Sequence, residues 1–209
     1  METDVEAIFV DLPRPVTIGK RSLERVIFTR RSLREYSEQA LMLTELGQLL
    51  WSSQGITSKD NLRAAPSAGA TYPLEIYAVV QNVKGLVPGV YHYLPGPGLR
   101  KHRLELVHEG NVAAQICQLT SKQDFIREVP VNIVLAAVEQ RTRKEYGDMA
   151  PRLVLLEAGH AAQNIHLQAE ALGLGSVAIG YVNATKVGAL LQTEAEPLYM
   201  VSVGRKRRQ

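Results

Sequence analysis

The sequence predicts an α+β domain, in which helices and strands follow one another without a regular repeat. Three observations support this prediction. Residues 151–172 form a long helical pattern rich in alanine, residues 131–138 form an apolar run of strand length, and the turn-forming residues 95–98 join two further strand-like segments into a hairpin. A β-hairpin within an irregular order of helices and strands is typical of α+β proteins rather than of regularly alternating α/β proteins.

The amino-terminal part of the chain divides into an arm and the start of the domain. Residues 1–21 contain two prolines and a glycine and are interpreted as an arm outside the core, with residues 22–209 as a single domain. Ser22 is suited to cap a short helix at the start of this domain. The apolar side of that helix is predicted to consist of Leu23, Val26, Ile27 and Phe28.

The remaining elements are predicted from apolar periodicity and from residues that favour helix or strand ends. They are a helix at 45–54 preceded by Thr44 and ended by Gly55, strands at 74–80, 90–94 and 99–107, a helix from Asn111 to Thr120, a strand at 131–138, a helix at 151–172, a strand at 176–181, a helix from Asn183 to Leu191 and a strand at 197–203. The small residues of the 151–172 helix predict close packing, either as the central core helix or against a second copy of the chain.

Composition narrows the class of protein. The chain has 209 residues, 45% of them hydrophobic, which is enough to form a core, and a net charge of +3. That charge is too small to predict nucleic-acid binding, which normally needs a dense basic face. The acidic start does not resemble a secretory signal, and the apolar stretch 129–138 is too short to span a membrane. We therefore expect a cytoplasmic protein with neither a membrane nor a nucleic acid as its partner.

Several familiar sites are excluded by spacing. The single cysteine, Cys117, cannot form an internal disulfide and is expected to be buried. The five histidines lack zinc-type spacing, so no metal site is predicted. Residues 173–178 fit a loose dinucleotide-binding pattern, but a helix precedes them and a strand follows, the reverse of the order that such a site requires. Gly173 is better interpreted as the residue that ends the long helix.

Two segments carry residues suited to an anionic, planar ligand. Residues 30–34 place three arginines and a serine close together, and guanidinium groups make charge-assisted bidentate hydrogen bonds to phosphate. Taken alone, this run also fits a solvated helix end. Residues 66–73 are mostly small, so a flat ligand could approach their backbone closely. A second basic group follows at 205–208, in which Arg207 and Arg208 are interpreted as a frayed basic tail.

These segments occur in an order that resembles the nitroreductase superfamily, and more narrowly its SagB-type dehydrogenase branch, which is associated with azoline-to-azole oxidation in modified peptides. The resemblance covers residues 22–206. It rests on Arg30-Arg-Ser-x-Arg-x-Tyr36, Pro66-Ser-Ala-Gly-Ala-Thr-Tyr-Pro-Leu-Glu-Ile-Tyr77, Leu156-Glu-Ala-Gly-His-Ala-Ala-Gln-Asn164, Gly173-Leu-Gly-Ser-Val-Ala-Ile-Gly180 and Val201-Ser-Val-Gly-Arg205.

The resemblance implies a nitroreductase-like FMN-binding fold, with a central mixed or antiparallel sheet flanked by helices, and a homodimer with flavin at the subunit interface. It also implies ping-pong hydride transfer through flavin N5, from NAD(P)H to a small organic substrate. The residues it assigns to the cofactor are Arg30, Arg31, Ser32, Arg34, Pro66, Ser67, Ala68, Gly69, Ile179, Gly180 and Arg205.

Within that assignment the residues have different roles. Arg30, Arg31 and Ser32 correspond to the phosphate and ribityl side, and Arg34 to a cation near flavin N1 and O2. Residues 66–69 would line the flavin from the partner subunit. Ile179 and Gly180 match the segment whose backbone amide faces N5, and Arg205 would close over the phosphate.

One departure bears on the activity. Azoline dehydrogenases of this type resemble one another in an adjacent Lys-Tyr pair thought to supply acid–base groups. Here Glu145 precedes Tyr146, and the nearest lysine, Lys144, is offset by one residue. Tyr146 is retained as the candidate catalytic proton donor, with a loop tyrosine of no special role as the alternative. A flavin-binding sensor or carrier without efficient turnover is the alternative to an enzyme.

Overall fold

The computed structural model describes residues 7–96 and 101–207. The helices in these residues are α1 Leu23–Thr29, α2 Leu43–Gln54, α3 Ala113–Leu119, α4 Phe125–Glu128, α5 Gln140–Tyr146, α6 Ala150–Ala171 and α7 Ala184–Leu190. The strands are β1 Phe9–Asp11, β2 Leu41–Met42, β3 Leu74–Val80, β4 Val83–Lys84, β5 Gly89–Leu94, β6 Arg103–Glu109, β7 Val131–Ala137, β8 Leu174–Ile179 and β9 Glu196–Arg205. The predicted α+β class is confirmed.

The centre of the molecule is a seven-stranded sheet in the order β1-β6-β5-β3-β7-β9-β8, with every neighbouring pair antiparallel. A short parallel pair, β2 with β4, lies apart from it. All seven residues of β7 are buried, as expected for a central strand covered on both faces. One core cluster joins the sheet to α2 and α6, and a second joins its opposite face to α3, α4 and α7.

The central helix α6 ends as its sequence predicts. Gly173 follows the helix with a φ of 77°, a left-handed conformation that glycine adopts without steric cost, and its N–H donates to the Glu170 carbonyl at 3.0 Å. The strand β8 then begins at Leu174. Residues 173–178 are therefore a helix end followed by a strand, and not a dinucleotide-binding turn.

Most predicted boundaries are confirmed to within two residues, with local differences at the caps. Helix α2 begins at Leu43 rather than after Thr44, because the Glu45 carboxylate accepts a hydrogen bond from the Met42 N–H at 2.8 Å. The hairpin of β5 and β6 is present, but residues 97 and 98 of its predicted turn lie outside the described residues. Cys117 is buried as expected.

One prediction about the amino-terminal region is wrong. Residues 9–11 are not outside the fold, because they pair with β6 as the edge strand of the sheet, and Leu12 is buried in the core. In α1, Val26 is buried, whereas Leu23 and Ile27 are exposed and Phe28 is 70% exposed. Helical periodicity marks an apolar face, but only tertiary packing decides how much of that face is covered. No helix in the described residues has the length and apolar character needed to cross a membrane.

Candidate active site

The segment of residues 30–36, here called the arginine segment, lies across the ends of β8 and β9. Ser32 forms a parallel bridge with Ser176, and the Leu33 N–H donates to the Ser176 carbonyl at 3.1 Å. Four residues later, Tyr36 forms an antiparallel bridge with Lys206. The sheet therefore holds the arginine segment at both ends and brings it beside the carboxyl-terminal basic residues.

Two glycines make this close approach possible. Gly175 and Gly204 are paired across β8 and β9. A Cβ on Gly204 would lie 2.9 Å from Cδ1 of Tyr36, and one on Gly175 would lie 3.0 Å from Cδ1 of Leu33. These distances are shorter than normal contacts of a Cβ atom, so a larger residue at either position would clash with the arginine segment. The segment therefore packs directly on the two glycines.

The cations of this region are held by specific partners. An Arg31 guanidinium nitrogen donates to the carbonyls of Phe28 and Arg30 at 3.0 and 2.7 Å. Arg205 is bound to the Glu45 carboxylate at 2.8 Å. Arg34 donates through Nε to the Gln123 side chain at 3.2 Å. Of the predicted phosphate ligands, Arg205 is therefore already paired with a carboxylate.

Beneath the arginine segment lies a buried carboxylate that sequence reasoning missed. Glu170, near the end of α6, accepts hydrogen bonds from the Thr29 hydroxyl at 2.8 Å, from Lys206 at 2.6 Å and from Arg21 at 3.4 Å. Burial acts to raise the pKa of Glu170, but the bonds from Lys206 and Thr29 and the charges of Lys206 and Arg21 lower it below its ordinary value. The Glu170 carboxylate thus holds the end of α1 and the Lys206 side chain in place.

One helical turn earlier, His166 supports the same region. It is buried, and its Nδ1 lies 2.8 Å from the Ser176 hydroxyl. Burial, together with the nearby positive charge of Arg30, lowers the pKa of His166 to about 4. The imidazole is therefore neutral at physiological pH, and it holds the strand position that pairs with Ser32.

This lowered pKa predicts how stability depends on pH. Because the unfolded chain takes up a proton near pH 6.5 and the folded chain only near pH 4, the contribution of His166 is complete above pH 6.5 and is lost as the pH falls toward 4. We expect His166→Gln to reduce this loss of unfolding free energy by up to about 3 kcal/mol. Denaturant unfolding of the wild type and of His166→Gln at pH 7.5 and pH 4.5 measures this change in unfolding free energy. An equal loss in the two proteins would contradict the role of His166 in the pH dependence.

The second group of predicted residues lies in residues 63–73, here called the small-residue loop. Its backbone has positive φ at Gly69, Ala70 and Tyr72, at 56°, 52° and 45°. Positive φ is unfavourable for residues with a Cβ, so this loop depends on surrounding contacts for its conformation. Pro66 and Gly69 are exposed, whereas Ser67 and Ala68 are half-buried.

Tyr146 lies against this loop. It is the last residue of α5, and it is 40% exposed. A Cβ on Gly69 would lie 2.8 Å from the Tyr146 hydroxyl and 3.1 Å from its ring. Helix α5 is held there by the Thr142 hydroxyl, 2.8 Å from that of Thr71, and by Arg141, which donates to the Tyr72 carbonyl at 3.0 Å. The structure thus brings together Gly69 and the candidate proton donor.

The two groups contact different parts of α6. The small-residue loop is linked to Glu157 through Arg63 and Gln54, whereas the arginine segment is supported by His166 and Glu170. At 1.5 Å per residue these positions are separated by about 14–20 Å along the helix. Within one chain the predicted cofactor residues therefore form two separate groups and not one closed pocket.

Ile179 and Gly180 lie at the far end of β8. Ile179 is buried and pairs with Met200, and Gly180 is exposed just beyond the strand. Ile179 is three residues from Ser176, which corresponds to about 10 Å along the strand. Of these two predicted residues, only Gly180 lies on the surface.

Comparison with known proteins decides the family. The sequence model of the nitroreductase family matches residues 27–205. The chain belongs to the nitroreductase family. This nitroreductase-family chain is 40% identical over 189 residues to a protein of Methanocaldococcus jannaschii that is named as a nitroreductase. The aligned residues make up 90% of the chain and 93% of that protein. It is therefore an oxidoreductase, and its predicted resemblance is confirmed at the level of the family.

Two further relatives extend the comparison. A solved structure of a protein named as a nitroreductase from Ralstonia eutropha superposes with a TM-score of 0.80 at 26% sequence identity. The superposition covers 96% of the nitroreductase-family chain and 90% of the Ralstonia chain. The trifolitoxin-processing protein TfxB of Rhizobium leguminosarum is 30% identical over 117 residues, which cover 54% of the chain and 30% of TfxB. The nitroreductase-like fold is thus confirmed.

Proposed function

We propose that this protein is an FMN-dependent oxidoreductase that takes a hydride from NAD(P)H and delivers it to a small organic substrate. The observation that carries the proposal is the pair of residue groups described above. One is a basic surface around Arg30, Arg31 and Ser32, and the other is a loop with Gly69 exposed beside Tyr146. The first suits a phosphate, and the second suits a flat ring with a proton donor at its edge.

The residues present fit FMN chemically. Arg30 and Arg31 supply guanidinium donors, and Ser32 has an exposed side chain that adds a hydroxyl to the same surface. Gly69 is exposed, and its missing Cβ makes room for the Tyr146 side chain, so the candidate proton donor lies directly beside the loop that a planar group would approach. Arg205, which the resemblance assigns to the phosphate, would need to share its guanidinium between that anion and Glu45.

A homodimer would join the two groups. The exposed apolar side chains of α1 lie at one end of α6, and Leu155 and Leu156 are exposed on α6 itself. The exposed face of α6 continues through Gly159, where an added Cβ meets nothing within 4 Å. Apolar surface of this kind favours association, and a second copy could bring its own small-residue loop to the arginine segment of the first.

In such a site the bound flavin supplies the redox chemistry, taking a hydride at N5 and passing it on. The protein supplies binding and electrostatics. Arg34, held through Nε by Gln123, is proposed to place its positive charge near the N1–C2=O side of the ring, where negative charge develops. Ile179 and Gly180 are proposed to offer a backbone amide near N5. Tyr146 would donate a proton to the substrate from its position beside Gly69.

A second candidate is oxidation of azolines in a modified peptide. The likeness of half of the chain to the trifolitoxin-processing protein favours this SagB-type branch. The glutamate at position 145, in place of the lysine of the Lys-Tyr pair, argues against it. We therefore rank it below reduction of a small substrate.

The proposal is tested on the purified protein. We expect stoichiometric binding of added FMN, with a shift in the flavin absorbance, followed by anaerobic bleaching with NADH or NADPH and recovery with a nitroaromatic or a quinone. Failure to bind FMN would overturn the proposal. Binding without reduction by either nucleotide would favour the sensor or carrier alternative.

The dimer makes its own prediction. Leu155→Glu combined with Leu156→Glu would place two buried charges in the interface of each subunit, so we expect the variant to elute as a monomer and to bind FMN at least tenfold more weakly. Light scattering and FMN titration measure the two effects. Glu substitution of the exposed Val87, in the turn between β4 and β5, serves as the control. A dimer that persists with normal FMN affinity would contradict the interface.

A further inference from the structure

The small-residue loop is held by a ring of buried and half-buried side chains that includes Glu157. The Ser67 hydroxyl accepts a hydrogen bond from the Tyr72 N–H at 3.0 Å and lies close to the Glu157 carboxylate, whose pKa it helps to lower. Glu157 accepts from the Gln54 amide at 3.2 Å. The Gln54 oxygen in turn accepts from Arg63 at 3.0 Å, and the Arg63 guanidinium lies over the Tyr72 ring, 4.5 Å from its centroid. The series of contacts therefore begins and ends at Tyr72.

The ring connects α6 to the end of α2 and to the loop that follows it, which are about a hundred residues away in sequence. Gln54 is the last residue of α2, Glu157 lies in the first half of α6, and the other members belong to the loop. Glu157 is 3% exposed and Gln54 is 1% exposed, so neither interaction is weakened by competing water. A carboxylate buried to this extent is retained only where its hydrogen-bonding groups are satisfied.

The charged groups around Glu157 come from its own helix and from the loop. Burial raises the pKa of Glu157, against the hydrogen bonds from Ser67 and Gln54 and the charges of Arg63 and His160. His160 is exposed on α6, and Arg63 of the loop is bonded to Gln54, the residue that donates to Glu157. Arg63 is therefore the half-buried cation of this set of residues, and it connects Gln54 to the aromatic side chain of Tyr72.

The contacts of the ring coincide with the strained part of the loop. Tyr72, whose φ is positive, is fixed by Ser67 through its N–H and by Arg63 through its aromatic ring. Gly69 and Ala70, also at positive φ, lie between Ser67 and Tyr72. Because such conformations persist only where surrounding contacts over-determine them, loss of Glu157 should release the loop.

We propose that Glu157 is a positioning residue that acts through Gln54 and Arg63 to hold the small-residue loop in the conformation required for flavin binding. This inference rests on the proposed function, since it concerns the loop's affinity for FMN. Glu157 does not touch the ligand in this arrangement. It explains why Leu156–Asn164, one of the segments that carry the family resemblance, contains an acidic residue on the buried side of α6.

Three variants separate positioning from general stability. Glu157→Ala removes the acceptor for the Gln54 amide, and we expect FMN to bind at least tenfold more weakly. Glu157→Gln keeps an oxygen acceptor, and we expect its affinity to stay within threefold of the wild type. Ser202→Ala removes a different buried hydrogen bond, made to Asn132 at the centre of the sheet, and serves as the control for lost stability. Its FMN affinity should be unchanged.

Hydrogen exchange of the flavin-free protein gives a readout that does not depend on FMN. We expect amides of residues 67–72 to exchange faster in Glu157→Ala but not in Ser202→Ala, while β7 remains protected in both. Unchanged exchange in the loop together with unchanged FMN affinity would overturn the inference. If the wild type itself fails to bind FMN, the proposed function fails instead, and the exchange result still decides whether Glu157 holds the loop.

Discussion

Replacing Arg30 and Arg31 together by alanine is expected to weaken FMN binding by about two to four orders of magnitude. Each charge-assisted hydrogen bond contributes about 1.5–3 kcal/mol, so loss of two removes about 3–6 kcal/mol of binding free energy. The bridge between Ser32 and Ser176 is made by the backbone and does not depend on these side chains. The fold should therefore persist, and fluorescence titration with FMN measures the loss directly.

A matched variant distinguishes the local site from the overall charge. Arg127 is exposed on α4, where it is paired with Asp124, and Arg127→Ala also removes positive charge from the surface. We expect this variant to bind FMN normally. Unchanged affinity in the double variant of the arginine segment would refute the phosphate assignment, and an equal loss in Arg127→Ala would show a nonspecific charge effect.

Replacing Gly69 by asparagine is expected to lower kcat/KM by about a hundredfold, the lower end of the range of about a hundredfold to ten-thousandfold that a positioned proton donor contributes. Asparagine tolerates positive φ better than most residues, so little backbone strain is introduced. Its Cβ, however, would lie 2.8 Å from the Tyr146 hydroxyl and would displace that side chain. Steady-state kinetics with NAD(P)H and a nitroaromatic or quinone substrate measures the change.

The control for Gly69 is Gly85, which also has a positive φ but has nothing within 4 Å of an added Cβ. Gly85→Asn should keep full activity. Tyr146→Phe should lose activity to a similar extent as Gly69→Asn, and combining the two should add little, because both remove the same interaction. Full activity in Gly69→Asn would show that the contact with Tyr146 has no catalytic role.

Much of the fold follows from local patterns in the chain. Ser22 and Asn183 cap their helices as expected, accepting from the N–H groups of Arg25 and Lys186 at 3.3 and 3.2 Å. The buried run at β7 and the helical period of α6 are equally local signals. The edge strand β1 was not predicted. Its three residues are too few to show a periodic pattern, prolines follow them closely, and they gain their structure only by pairing with β6.

The site was partly accessible from the sequence. Local composition singled out the arginine segment and the small-residue loop, because clustered arginines and runs of small residues are unusual in themselves. The partners beneath them were not identified. Ser176 and His166 are ordinary residues of a strand and a helix, and only their 2.8 Å contact under Ser32 gives them a role.

By itself, the sequence determined the α+β class, most of the element boundaries and the two segments that carry chemistry, because these depend on residues close together in the chain. The tertiary structure decided which face of α1 is covered, which carboxylates hold the basic residues, and that Tyr146 lies over Gly69. These are long-range contacts, and helical or strand periodicity specifies a face without specifying what packs on it.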